Sequence, residues 1–240
     1  MKVIDELISS LREDAPVQGV YACAFWTGVI TRHCGLSSTF TEDHPYHKIV
    51  KKAGDLTQKS GIELARQANS DGLLEASIGM ATINSLIDFD EERYTKQNVF
   101  DILAEKGRDK NVAIIGHYPW IPKLRGIARN LWIIEQSPRD DDLPEEAAED
   151  ILPQCDVIGM TGTSLINHTF EHLMELARGK FVVMVGPTSP LSPVLFDWGV
   201  DVIGGARVID QDQAIRSIAE GATFRQVRGV KLVNMSPEDL

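Results

Sequence analysis

Cysteine is scarce: Cys23, Cys34 and Cys155 are the only three in 240 residues, and no two of them form a CxxC pair. An odd, scattered set gives no disulfide framework and suits a reducing compartment, so a cytoplasmic protein is expected. Positive charge is also in short supply. Lys and Arg number 24 against 35 Asp and Glu, for a net charge of −11. A chain of that sign is repelled by a phosphate backbone, which argues against nucleic acid as a partner. Long hydrophobic runs are missing too. Stretches such as Phe181 to Val185 fall far short of the roughly 20 apolar residues that span a bilayer, so no membrane partner is expected. Near the amino terminus Val3, Ile4, Leu7, Ile8 and Leu11 recur at helical spacing among acids. A secretion signal would instead need a basic start and an unbroken apolar stretch. With 43% hydrophobic and 25% charged residues, the chain can bury a core in one large or two modest domains.

Two textures meet near residue 95. Residues 1–95 read as a small α+β lead domain. A helix over Met1 to Asp14 precedes two strand-like runs, Val17 to Trp26 and Val29 to Cys34, joined tightly at Thr27-Gly28. In the first run Val20, Ala22 and Ala24 alternate with Tyr21, Cys23 and Phe25, which fits a half-buried hairpin. The polar stretch from Thr39 to Leu56 reads as a long loop. Ser60-Gly61-Ile62-Glu63 has the form of a capping box, so a helix starts there and runs to about Ala68. A second helix, Leu73 to Ile87, carries Ala76, Ser77, Gly79 and Ala81 close together, leaving room for another backbone. Asp88 to Lys96 is charged and irregular and makes the natural linker.

From 96 to 240 the rhythm alternates. Strand-like runs at Val112 to Ile115, Leu131 to Glu135, Asp156 to Met160, Phe181 to Val185 and Val200 to Ile203 are separated by segments with helical signals. The clearest of these is Leu165 to Arg178, where Ile166, Phe170, Leu173, Met174 and Ala177 form one apolar stripe. Apolar strands bounded by short glycine-bearing turns and separated by helices predict a parallel sheet covered on both faces. Right-handed crossovers make it doubly wound. The fold class is therefore α/β, a Rossmann-like doubly wound parallel sheet preceded by a small α+β domain.

In such a sheet a ligand lies beyond the carboxyl ends of the strands, at the point where strand order reverses. That rule nominates residues. Gly116 and His117 open the turn after the first strand, and Glu135 ends the second. Thr161, Gly162 and Thr163 follow the third strand, with Asn167 one turn further on, and Gly186, Pro187 and Thr188 follow the fourth. The first turn lacks GxGxxG, so it offers no ordinary dinucleotide cradle, although a helix starting at Pro119 would still present donors to a smaller anion. Glu135 stands 19 residues after Gly116, near the spacing of a ribose-binding acid, and equally suits an ordinary strand-end carboxylate. Hydroxyls at Thr163 and Ser164 can bind an oxyanion or merely cap a helix. Gly186 to Pro190 can touch a ligand or serve as a rigid connector. Glu135 and His117 are the acid/base candidates, with no orienting partner visible in sequence.

Metal-like patterns are weaker. His168, Glu171 and His172 spell HxxEH, which could hold zinc on one helix face. The neighbouring apolar stripe points to the sheet instead and leaves those residues on the solvent face. Cys34 with His33, and His44 with His47, have soft or imidazole donors but match no closed site. Asn84, among Met80, Ile83, Leu86 and Ile87, is a buried amide that needs partners, either backbone or ligand.

Ile78-Gly79-Met80-Ala81-Thr82-Ile83-Asn84, then Ile115-Gly116-His117-Tyr118-Pro119, then Thr161-Gly162-Thr163 with Asn167 and Thr169, then Gly186-Pro187-Thr188, taken in order, resemble the "putative heavy-metal chelation" family. The resemblance implies an enolase N-terminal-like lead domain joined to a Rossmann-like domain, with a site between them. By that likeness Asn84, Gly116, Glu135, Thr161, Thr163, Asn167, Gly186 and Thr188 line the cleft. The expected function is binding of a small anionic or metal-linked ligand between the domains, with no reaction assigned. A transition metal ion is the one cofactor the likeness suggests. Two alternatives stand beside it: an enzyme using a nucleotide-like cofactor such as S-adenosylmethionine with Glu135 on the ribose, and a non-catalytic metal-binding or delivery protein. Clefts of this kind often occur in homodimers. No enolase chemistry follows from the lead domain, because fold does not give function.

Overall fold

A computed structural model describes residues 1–41, 49–88, 90, 94–95 and 97–239. Helix α1 (Lys2–Ser9) leads into strands β1 (Gly19–Ala22), β2 (Trp26–Ile30) and β3 (Cys34–Ser38), which form an antiparallel sheet in that order. Helices α2 (Gly61–Ala65) and α3 (Leu73–Leu86) complete the lead segment. The hairpin turn lies between Ala22 and Trp26, while Thr27 and Gly28 sit inside β2, paired with Ala22 and Tyr21. Within the strand, a Cβ on Gly28 would meet the tips of the Ile215 and Ile218 side chains. A glycine read as a turn is thus a close approach. The sequence also gave no hint of β3, whose small residues have little strand propensity but pack under α3. In α2, Ser60 caps as expected, accepting from the Glu63 amide, while Asp14 takes the Ile62 amide.

Helix α4 (Val99–Lys106) opens the second segment, followed by β4 (Asn111–Ile115), α5 (Ile121–Arg125), β5 (Asn130–Glu135), β6 (Leu143–Pro144) and α6 (Ala148–Ile151). Then come β7 (Val157–Thr161), α7 (Phe170–Leu176), β8 (Phe181–Val185), α8 (Val194–Asp197), β9 (Val202–Val208), α9 (Gln211–Ala219) and β10 (Val230–Met235). Among the described residues these strands form one seven-stranded sheet ordered β10-β9-β8-β7-β4-β5-β6. Every neighbouring pair is parallel except β10 with β9. The fold is Rossmann-like, with an antiparallel edge strand that the expected list of strands had omitted. Strand order reverses at β4, which pairs with β5 on one side and β7 on the other.

The stripe expected over Leu165 to Arg178 is buried throughout, at Ile166, Phe170, Leu173, Met174 and Ala177. The helix itself is interrupted. A 3-10 turn spans Gly162–Leu165, His168 adopts a left-handed φ of 61°, and α7 starts only at Phe170. The two segments share a core: Val3, Ile4 and Leu7 of α1 and Met80 and Ile83 of α3 pack in one cluster with Ile158, Phe170, Met184 and Ile203. No helix among the described residues is long and apolar enough to cross a membrane.

Candidate functional site

Parallel strands in register end together, so their trailing turns share one rim. Ile115 pairs with both Ile134 and Met160, and Thr161 pairs with Val185. Gly116, Glu135, Thr161 and Gly186 are therefore brought side by side at the carboxyl edge. Gly116 and Gly186 have φ of 107° and 119°, a backbone that disfavours side chains. Above this rim lies a cavity of about 1120 Å³, at the upper end of ligand pockets, which run to roughly 1,000 Å³. Its far wall comes from the lead segment through Trp26, Ser38 and Phe40.

Of the nominated residues, Gly116, His117, Glu135, Thr161, Thr163, Asn167, Gly186, Pro187 and Thr188 line this cavity. Gly162 and Asn84 do not. Gly162 is buried against Ser189, where a side chain would collide with backbone. Asn84 lies behind the rim and donates to the Leu36, Pro187 and Thr188 carbonyls at 2.9, 3.4 and 3.1 Å. It fastens the turn after β8 to β3. The amide is partly buried, not fully so as expected, and finds its partners in backbone, the plainer of the two readings. Thr188 is also largely engaged, accepting from the Ser38 amide at 2.9 Å and donating to the Ser38 hydroxyl at 3.2 Å.

The hydroxyl turn after β7 caps itself. Thr161 Oγ1 accepts from the Thr163 amide at 3.3 Å and lies 3.0 Å from the Thr163 hydroxyl, while Ser164 donates to the Thr161 carbonyl. The cap is therefore Thr161, not Thr163 or Ser164 as expected. Asn167, on the cavity lining, accepts from the Thr169 amide and hydroxyl through Oδ1. Helix α5 begins at Ile121 and spans five residues, too short to make an anion site at Pro119.

Sequence reading missed three features here. Tyr118 and Trp120 stack with ring centroids 4.8 Å apart, making a flat apolar wall, and the Tyr118 hydroxyl donates to the Val185 carbonyl. Burial raises the Tyr118 pKa. Asp142 is the second: its carboxylate, 3% exposed, lies 3.1 Å from His117 Nδ1 and accepts from the Arg139 amide. The orienting partner sought for His117 lies 25 residues away in an irregular stretch, where only chain folding reveals it. Third, Glu145, Glu146 and Glu149 join Glu135 on the lining, against one arginine, Arg225. Partial burial and the nearby Asp142 charge raise the Glu135 pKa, with His117 and Arg139 opposing.

The HxxEH residues part company. His168 Nε2 meets the Ala68 carbonyl at 2.9 Å, Glu171 accepts from the Val3 amide at 2.9 Å, and His172 pairs with Glu149 at 2.6 Å. His168 and Glu171 thus hold the lead segment and do not face solvent as expected. Cys34 is buried and its thiol pushed up to about 12 by burial, which leaves little thiolate to bind a metal. His44 and His47 lie outside the described residues. Among the described residues no group of three or more His, Cys, Asp or Glu side chains could hold a metal ion.

Residues 98–235 match a family model described as "Putative heavy-metal chelation", and residues 4–87 match a second model of the same description. An uncharacterized protein of Methanocaldococcus jannaschii is 27% identical over 191 residues, covering 75% of this chain and 72% of that protein. A solved protein of unknown function from the DUF364 family of Desulfitobacterium hafniense superposes with a TM-score of 0.83 at 27% identity, covering 98% of both chains. Another from Pyrococcus horikoshii gives 0.81 at 18% identity, again over 98% of both chains. At that identity the second likeness shows the fold alone.

Proposed function

We propose that this chain, which belongs to the family described as putative heavy-metal chelation, binds an organic, metal-linked ligand in the cavity between the sheet edge and the lead segment. The ligand brings most of the metal's donors. One observation carries the reading: a cavity of about 1120 Å³ has room for a sizeable organic molecule, yet its walls lack any cluster of three metal-binding side chains among the described residues. A protein that sequesters a bare ion surrounds it with three or four such groups. The ring of glutamates also disfavours a free anion and suits a ligand whose charge is offset by its metal.

Native mass spectrometry of protein purified without chelator, paired with elemental analysis, tests this. An organic mass and a metal in equal amounts, released together on denaturation, is the expected result. Metal bound with no organic mass would overturn it.

A second reading is an enzyme with a nucleoside-bearing cofactor such as S-adenosylmethionine. Glu135 ends the strand beside β4, where a ribose-binding acid would stand, and the Tyr118–Trp120 stack offers a flat face to a base. A rise in melting temperature with adenosyl compounds, in protein free of metal, would favour this reading over the first.

A further inference from the structure

His117 has one ring nitrogen committed, while the other has no hydrogen-bond partner among the described residues. Nδ1 lies 3.1 Å from an Asp142 oxygen that also accepts from the Arg139 amide at 3.2 Å, and the Asp142 side chain is only 3% exposed. A buried carboxylate on Nδ1 selects the tautomer with its proton there, leaving the lone pair on Nε2. Histidines that ligate metals are held in the same way, through their second nitrogen, by a carboxylate or carbonyl. The His117 side chain is 45% exposed and lines the cavity. Glu135 lines the same cavity from the end of the adjacent strand, directly after Ile134, which pairs with Ile115 two residues before His117. An imidazole nitrogen and a carboxylate oxygen on neighbouring turns of one rim are donor types that suit divalent first-row transition metals.

Two donors cannot hold a bare ion tightly in competition with water. They can complete the shell of an ion that arrives with adjacent positions open. We propose that His117 Nε2 and the Glu135 carboxylate form an open two-donor face that captures a divalent transition-metal ion already held by a multidentate organic chelator, with Asp142 as the positioning residue. This rests on the cleft reading above and gives it a coordinating atom pair. Binding exchanges two waters on the chelated metal for the imidazole nitrogen and one carboxylate oxygen, and no electron moves. The other histidine pair of the cavity is unsuited, because Glu149 occupies His172 Nε2 and both side chains are more than half exposed.

The test uses tag-free full-length protein and two probes. Nickel–nitrilotriacetate leaves two coordination positions to water, and nickel–EDTA leaves essentially none. Calorimetry should show saturable one-to-one binding of the first and none of the second, with the nickel ligand-field band shifting as an imidazole enters. His117→Gln and Glu135→Gln should each weaken binding at least about tenfold, and His117→Gln should also abolish the band shift. Asp142→Asn, which leaves both donor atoms in place, should cost about 10–100-fold, while His33→Gln, at a histidine outside this cavity, should bind like the parent. Equal binding of the two probes, no binding of either, or a His117→Gln variant that binds normally would overturn the proposal. Failure here alongside an organic–metal mass in the isolated protein would sink the two-donor face alone and leave the cleft reading standing.

Discussion

At the scale of single residues, Glu135 carries a pH signature. Partial burial and the Asp142 charge raise its pKa in the folded chain, so folding favours its protonated form. A raised carboxyl pKa contributes stability that is present below the unfolded value, and that contribution is lost as pH rises through the folded value. At neutral pH the ionised group therefore opposes folding. Glu135→Gln, always neutral, should melt higher than the parent at pH 7, with the gap closing near pH 4. Thermal melts across that range check the sign, and an equal gap at both ends would count against it. Asn84 shows how a residue's type is legible while its duty is not. An amide drawn out of water needs partners, but nothing local says that they are the Leu36, Pro187 and Thr188 carbonyls and not a ligand.

At the scale of elements, α3 is the informative case. Its cluster of small residues was legible as a surface for close approach, and the structure supplies the partner. A Cβ on Gly79 would come 1.9 Å from the Ala68 amide nitrogen in the turn after α2. Helix propensity alone would make Gly79→Ala more stable by about 1 kcal/mol. Steric collision with backbone reverses the sign, and overpacking costs about 1–3 kcal/mol. Urea denaturation should therefore show a lower midpoint for Gly79→Ala, and a higher one would mean the helix and turn can separate freely. The HxxEH run fails as a metal motif for a reason of the same scale. His168 turns out of the helical path with positive φ, so the helical spacing on which shared coordination depends does not exist.

At the scale of the whole molecule, one core joins what sequence texture divides. The antiparallel sheet uses residues 19–38 and the mostly parallel one residues 111–235, yet residues of α1 and α3 lie in the same apolar cluster as the second sheet and α7. Cross-links reinforce it: Glu171 on the Val3 amide, Trp198 on Glu6, and Thr188 on Ser38. Chemical denaturation should accordingly follow one cooperative transition, with tryptophan fluorescence and far-UV circular dichroism coinciding. Two separated steps would mean that the lead segment folds on its own.

The order of apolar runs and glycine turns was enough to determine the five central parallel strands of the Rossmann-like sheet and the rim of turns at their carboxyl edge, though not the edge strands β6 and β10. These are consequences of local periodicity and of strand twist, which any residue string carries within itself. Which rim residues face a cavity, which merely fasten the turns, and which carboxylate steadies His117 were decided only by tertiary packing. Side-chain direction and long-range pairing depend on groups far apart along the chain, and only the folded chain brings Asp142 to His117 or Asn84 to the turn after β8.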